Sequence, residues 1–291
     1  MDKYFLAGIV TFNPYIPNLT KNIQLLKRQG ITDIFIVDNG SDNINEIETT
    51  LSDECYIQKN NSNMGIAHAL NQIGKKAEQD LYTYFFTFDQ DSIVSETFIE
   101  KTKEVIASYS QSDIGMICPY INRHNDFIPK SEIEYINCAI TSGSLVSTYA
   151  WKTINGFWEY LFIDEVDHEF CYRLRRKGFK IIFNQNCCIQ HVIGNPDKNS
   201  RIILGHKFHP TNHSPFRRYY MTRNSILMLY LYPEEKEPFP HRIQMILRIF
   251  VSITVCEEEK LRKYKAIAKG IRDACYWILK KGKLKKMELE K

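Results

Sequence analysis

The sequence has no run approaching the roughly 20 apolar residues that a membrane-spanning helix needs. Its best candidate, residues 245–256, is too short and carries Arg248. It shows no secretory leader ahead of Met1-Asp2-Lys3 and no Cys-x-x-Cys spacing among its eight cysteines, at 55, 118, 138, 171, 187, 188, 256 and 275. Five of these sit inside apolar runs, where a free thiol packs as a small hydrophobe, so the expected setting is a reducing, cytoplasmic one. Glycine is missing where a dinucleotide would require it. The turn after the first apolar run reads Thr11-Phe12-Asn13-Pro14, with none of the three glycines that let a pyrophosphate approach the backbone. A Walker-type phosphate loop is absent as well, and so is the Gly/Arg/Lys-rich loop that nucleotidyltransferases carry after their first strand.

What is present suits a folded protein: 291 residues, 44% hydrophobic and 25% charged, enough for one large α/β domain with a helical appendage. Charge is uneven. Residues 241–291 hold 14 Lys/Arg against 6 Asp/Glu, a net +8, which leaves the first 240 residues at −4 and makes the overall +4 a property of the tail. A basic, apolar-striped tail can lie on an anionic membrane face or, equally, form a solvated helical hairpin.

Short apolar runs alternate with amphipathic ones over the first 120 residues. Residues 4–12, 33–37, 55–59, 82–88 and 113–118 read as strands with helices between them, the pattern of a mainly parallel sheet covered on both faces. Beyond them the pattern predicts a loop (122–130), a strand region (133–146), an aromatic loop (156–163), a helix (166–177), strands near 179–183 and 187–193, and helix from 214 onward, broken at Pro233 and at Pro238-Phe239-Pro240. Ligands of such sheets gather at the carboxyl ends of the strands. The residues there are Thr11-Phe12-Asn13, Asp38-Asn39-Gly40-Ser41, Asn60 to Gly65, and Asp89-Gln90-Asp91-Ser92, all groups rich in small or polar side chains.

Asp89-Gln90-Asp91 follows the near-continuous apolar strand Tyr84 to Phe88, so two carboxylates are held together at a strand end. Such a pair suits a hard cation, Mg²⁺ or Mn²⁺, that also grips a diphosphate. Asp38 is placed to accept hydrogen bonds from a nucleoside, or to form a turn, since Asp-Asn-Gly-Ser is rich in turn chemistry. Asn63-Met64-Gly65 opens a helix whose N-terminus either approaches a ligand or is simply well capped. Residues 162–173 hold Asp164, Glu165, Asp167 and Glu169 around a helix start. Helical spacing puts Asp167 with Phe170, Cys171 and Leu174 on an inward stripe, and turns Glu169 outward toward Arg173 four residues on. Asp167, with Asp164 one turn earlier, is then a candidate buried base, and Glu169 reads as an exposed helix ion pair. His191 closes an apolar strand, either as a structural histidine or as a partner to Asp91 in a metal shell. Arg217, Arg218, Tyr219 and Arg223 place a phosphate- or sugar-facing surface, or ordinary surface, on one helix.

In this order the motifs resemble glycosyltransferase family 2, and within it the bacterial rhamnosyltransferase branch. The strings are Gly8-Ile9-Val10-Thr11-Phe12-Asn13, Val37-Asp38-Asn39-Gly40-Ser41, Asn63-Met64-Gly65-Ile66-Ala67, Phe88-Asp89-Gln90-Asp91-Ser92, Ser142-Gly143-Ser144, the run from Leu161 to Glu169, His191-Val192-Ile193-Gly194, and Arg218-Tyr219-Tyr220 with Arg223-Asn224. They span roughly residues 4–224. The resemblance implies a GT-A fold, with a Rossmann-like catalytic domain over 1–212 (nucleotide half about 1–120, acceptor half about 121–212) and a C-terminal helical region over 213–291. It implies an inverting transfer from a nucleoside-diphosphate sugar, dTDP-rhamnose by the Asp-Gln-Asp-Ser form, to a glycan or lipid-linked glycan of a cell-surface polysaccharide such as O antigen or capsule. No nucleic-acid partner is implied; the basic tail leaves open a peripheral contact with the inner face of the cell membrane. A UDP-sugar donor is the alternative, and nucleotidyl transfer a weaker one.

Carried over by position, Thr11, Asn13, Asp38, Asn39, Asn63, Gly65 and Asp89 would bind the donor nucleotide or its sugar. Asp91, Asp89 and His191 would hold a divalent cation. Asp167 would be the base, and Ser142, Gly143, Arg218, Tyr219 and Arg223 would touch acceptor or phosphate. Many members read Glu-Asp-x-Asp where this chain has Val166-Asp167-His168-Glu169. Asp164 and Glu169 therefore stand beside Asp167 as candidate bases.

Overall fold

The computed structural model describes residues 4–122, 128, 133–191, 201–203, 206–208, 212–235 and 249–289; side chains at 191, 201–203 and 206–208 are not described. The chain divides into two compact units, residues 1–162 with 166–192, and residues 163–165 with 193–291.

The first unit is a mixed, mostly parallel sheet with helices on both faces. Its strands are β1 (Phe5–Thr11), β2 (Ile34–Asp38), β3 (Tyr56–Lys59), β4 (Tyr84–Asp89), β5 (Ser92–Val94), β6 (Ile114–Asn122), β7 (Ile133–Tyr135), β8 (Ser144–Ser147) and β9 (Lys180–His191). Among the described residues the order is β3-β2-β1-β4-β8-β6-β9-β5, with β7 beside β9. The first four are parallel neighbours, and β8 runs antiparallel between β4 and β6. The helices are α1 (Ile16–Arg28), α2 (Ile44–Leu51), α3 (Ile66–Gln79), α4 (Phe98–Ala107), α5 (Thr148–Thr153) and α6 (Val166–Arg176).

Strand alternation builds the two cores. Ile9, Ile36, Phe86 and Phe88 meet Leu19, Ile23 and Phe98 of α1 and α4 on one face. Leu6, Val10, Phe35 and Phe85 meet Leu70, Ile73, Trp151 and Phe170 of α3, α5 and α6 on the other. Gly8 lets α3 lie close, because a Cβ there would stand 2.3 Å from the Ile73 side chain. Of the region 179–193, expected as two strands, residues 180–191 form one strand, β9, with a register jump from Pro119↔Asn184 to Tyr120↔Cys188. Pro119 has no N–H to give the ladder, and the partner strand bulges past it. Two further elements escaped the pattern, the three-residue β5 and the six-residue α5, both too short to show a period.

The second unit contains α7 (Pro215–Leu231), a helix α8 described over 249–256, α9 (Lys260–Trp277), a π-helical turn Ile278–Gly282, and α10 (Lys283–Leu289). It also contains the hairpin β10 (Arg201–Ile203) and β11 (His206–Phe208). Ser214 caps α7 by accepting from the Arg217 N–H at 3.2 Å, and Pro215 opens the helix where its missing donor costs nothing. Gly270 of α9 faces α7 so closely that a Cβ would stand 2.8 Å from the Tyr219 carbonyl oxygen.

Beside this contact lies a buried charge cluster. The Glu257 carboxylate accepts from Arg218 at 2.7 Å, Lys263 at 2.9 Å and Ser252 at 3.1 Å, and all three charged residues are at most 5% exposed. Burial alone would raise the Glu257 carboxyl, but the Lys263 hydrogen bond and the two cationic charges hold it below the ordinary glutamate range. A carboxyl depressed in the folded state contributes stability that is complete above its unfolded value, about 4.3, and is lost as pH falls through the folded one. Circular-dichroism melts of the full chain should therefore lose helical stability on acidification from about pH 5 to pH 3. Glu257→Ala, which leaves two buried cations without their counter-charge, should cost about 3–5 kcal/mol at neutral pH. An unchanged melting curve for the variant would show that the cluster does not hold the helices together.

Candidate functional site

Parallel register brings the polar strand ends into line: Thr11 pairs with Asp38, Val10 with Asp89, and Asp38 with Lys59. Asp38 is the centre of the group. Its Oδ1 accepts from the hydroxyls of Thr11 (3.1 Å) and Ser41, and its Oδ2 from the N–H groups of Gly40 (3.1 Å) and Ser41 (2.9 Å). Thr11 and Asp38 are 0% and 1% exposed, so the two residues expected to bind a nucleoside spend their polar atoms on each other and on the 38–41 turn. The turn reading of Asp-Asn-Gly-Ser is the one the geometry favours, with Gly40 at φ +87°, where a side chain would be strained.

The same turn fixes its neighbours. Asn13 accepts from the Asp42 N–H at 2.7 Å and gives its own N–H to Ser41 Oγ at 2.8 Å. Asn39 donates to Asn63 Oδ1 at 3.1 Å and accepts from the Met64 N–H at 2.9 Å and from Asn60 at 3.2 Å. Asn13 and Asn63 keep exposed side chains above this network. Phe12 was not singled out in the sequence, yet its ring is 45% exposed at the end of β1, and its N–H donates to Gln90 Oε1 at 2.7 Å. A large ring in an otherwise small, polar strand-end group was the available signal.

The helix opened by Gly65 shows the capped alternative. The Ile66 N–H donates to the Phe162 carbonyl at 2.7 Å, and a Cβ on Gly65 would stand 2.6 Å from that same oxygen. The α3 N-terminus thus receives a backbone carbonyl of its own chain.

Asp89 ends β4, and Gln90-Asp91 turn the chain into β5. The turn is held at Gln90 by Phe12 and at Ser92 by Ser142, whose hydroxyls lie 2.8 Å apart in the interior. Both carboxylates are half-buried at the sheet's end. Ser92 registers with His191, which brings the His191 backbone beside Asp91; its side chain lies outside the described residues, as do Val192 to Gly194. Among the described residues no three His, Cys, Asp or Glu side chains gather closely enough to hold a metal ion.

Ser142 is 2% exposed and faces Ser92, and Gly143, at φ +73°, gives its N–H to the Thr87 carbonyl at 2.7 Å. Both support the acidic turn from behind. In the second unit, Arg218 is committed to Glu257. Arg223 is 5% exposed, donates to Asn224 at 2.9 Å and lies over the Tyr220 ring at 4.7 Å, and Tyr219 donates to Asp273 at 3.0 Å. The arginine–tyrosine face read as a ligand surface packs the helices of its own unit, because spacing cannot say which side of a helix a neighbour covers.

The outward position expected for Glu169 is corrected. Glu169 is 0% exposed, and Arg173 grips both of its oxygens, at 2.7 and 2.6 Å, while also donating to the Ile154 carbonyl. Asp167, expected inside, is half-buried in the first turn of α6. The helix buries Val166, Glu169, Phe170, Cys171, Tyr172 and Leu174, an arc too broad for a single stripe, and the ion pair neutralises the acid within it. Asp164 lies outside the helix, at φ +61°, with its carboxylate forked by Arg217 at 2.9 to 3.3 Å. Ahead of α6 the aromatic loop is pinned by Asn71, which bonds the Phe157 N–H (2.7 Å) and carbonyl (2.9 Å), Trp151 (3.2 Å) and Glu159 (2.8 Å).

The family model described as Glycosyl transferase family 2 matches residues 7–183, more than half of the chain. The dTDP-rhamnosyl transferase RfbF of Shigella flexneri is 28% identical over 250 residues, covering 79% of this chain and 81% of that protein. Among solved structures, GalNAc-T7 with UDP, GalNAc and Mn²⁺ superposes with a TM-score of 0.57 at 13% identity, covering 95% of this chain and 57% of that one. The chain thus spans a little over half of GalNAc-T7. S. aureus TarS 1–349 in complex with UDP-GlcNAc superposes with a TM-score of 0.52 at 15% identity, covering 93% and 89%. These likenesses establish the GT-A type of fold.

The buried Glu169–Arg173 pair makes a prediction of its own. Glu169→Ala should lower stability by about 3–5 kcal/mol, since it strands a largely buried guanidinium. Urea unfolding reads this directly, and an unmoved midpoint would rule the structural role out.

Proposed function

We propose, for a chain that belongs to glycosyl transferase family 2, that it transfers L-rhamnose from dTDP-rhamnose, with inversion, to a hydroxyl of a glycan or lipid-linked glycan in cell-surface polysaccharide synthesis. The observation that carries the donor is the 28% identity to a dTDP-rhamnosyl transferase over about four fifths of both chains. A UDP-sugar is the second reading, favoured by fold neighbours that hold UDP or UDP-GlcNAc.

The donor side would be formed by Asn13, Asn63 and the exposed Phe12 ring, a face for a pyrimidine, above the network that Asp38 ties together. Asp89 and Asp91 would present hard oxygen donors from a turn held at both ends, a pair that fits Mg²⁺ or Mn²⁺. Such an ion supplies the positive charge that a departing diphosphate needs.

The acid that accepts the acceptor's proton is Asp167 in this reading. Glu169 is sealed from solvent with both oxygens on Arg173, and Asp164 is forked by Arg217, so each would have to break an ion pair before taking a proton. Asp167, half-buried in the first turn of α6, stands at the position that the family resemblance gives to the base. A base within hydrogen-bond reach of the hydroxyl raises the oxygen's nucleophilicity as the sugar–phosphate bond breaks.

Two measurements test this. Over a panel of nucleotide sugars, dTDP-rhamnose should be turned over, the activity should vanish in EDTA and return with Mn²⁺ or Mg²⁺, and Asp91→Ala should abolish it with the fold intact. Turnover of UDP-GlcNAc or UDP-glucose but not of dTDP-rhamnose selects the second reading, and full activity in EDTA removes the metal. Asp167→Asn should keep donor affinity and lower kcat by on the order of a hundredfold or more. A near-normal rate in that variant, with Asp164→Asn inactive, would move the base to Asp164.

A further inference from the structure

The end of the second unit leaves uncovered what a helix usually hides. Gly270, Ala274 and Trp277 of α9 are buried, and a Cβ on Gly282 would stand 2.8 Å from the Tyr230 ring. Past this packed side, Tyr276, Leu279, Leu284 and Met287 are 63%, 86%, 63% and 49% exposed. In a regular α-helix Leu279 and Leu284, five residues apart, would diverge by about 140°. The π turn Ile278–Gly282 lies between them, and its i→i+5 bonding adds one residue to the turn and stacks residues five apart. A continuous apolar stripe therefore runs from α9 into α10. Residues 276–289 also carry five lysines against one glutamate.

We propose that this stripe is a surface that binds anionic phospholipid, its apolar side chains entering the interface while the lysines reach the phosphates. Lysine stems are long enough to keep their ammonium groups at headgroup level when neighbouring leucines are immersed. Juxtaposed cations add attraction to an anionic leaflet that salt weakens. A second copy of the chain is a poor occupant, since an isologous contact would bring the same lysines together. A nucleic acid would engage the lysines but gain nothing from Leu279 and Leu284. The contact is one of surface, for among the described residues no helix is long and apolar enough to cross a membrane.

The experiment is flotation of the full chain with vesicles of phosphatidylglycerol and phosphatidylcholine, or of phosphatidylcholine alone. It needs no sugar donor, so its outcome is separate from that of the transfer reaction. The chain should float with the anionic vesicles and not with the neutral ones, and added salt should release it. The double variant Leu279→Ser/Leu284→Ser should bind about tenfold more weakly or worse, and Lys280→Glu/Lys281→Glu should weaken binding and flatten its salt dependence. Because these side chains are exposed, the melting temperature of each variant should match the parent's. Equal flotation of the serine variant, no flotation with anionic vesicles, or a lipid-free dimer that the serine substitutions dissociate would each overturn the proposal.

Discussion

One buried carboxylate organises the ligand end of the sheet. Asp38 is almost wholly removed from water, and such a charge is tolerated only when hydrogen bonds replace its hydration. Four donors, two hydroxyls and two backbone N–H groups, do so. Because one comes from β1 and the rest from the turn after β2, the need to satisfy the charge fixes the two strand ends against each other. Asn13 and Asn39 then hang on that turn, and Asn39 carries the constraint to Asn63 and the start of α3. The exposed polar groups are thus positioned through the buried one.

The acidic turn after β4 is held in the same manner. A short turn between two strands would otherwise move freely, but Gln90 is tied to the Phe12 N–H and Ser92 to Ser142, so the carboxylates on either side of Gln90 stand on fixed supports. Ser142 and Gly143 take part from beneath, through a backbone that only glycine adopts easily at φ +73°. Groups held in this way are preorganised, so little ordering would remain to be done on binding.

Ion pairs sort the acids that follow. Arg173 neutralises Glu169 in the interior, and Arg217 engages Asp164. In the helical unit Arg218 and Lys263 flank Glu257 in the same way. Much of what looks like a functional charge in this chain is a desolvated pair holding elements together.

The sequence by itself determined the parallel half of the sheet. Runs such as Tyr84 to Phe88 are apolar at nearly every residue because both faces are covered by helices, and that pattern is local. It also determined which polar groups end the strands, and so where a ligand would be sought. Tertiary structure decided the rest. Glu169 and Asp167 exchanged their expected environments because burial depends on which neighbours a helix meets, and a paired charge can lie inside the apolar arc. Arg218 and Arg223 became internal for the same reason, and β5 and α5 exist only because partners from distant parts of the chain complete them. The alignment of Leu279 with Leu284 rests on one π turn, which no periodicity in the sequence encodes, and the turn ends at Gly282, close against Tyr230 some fifty positions earlier.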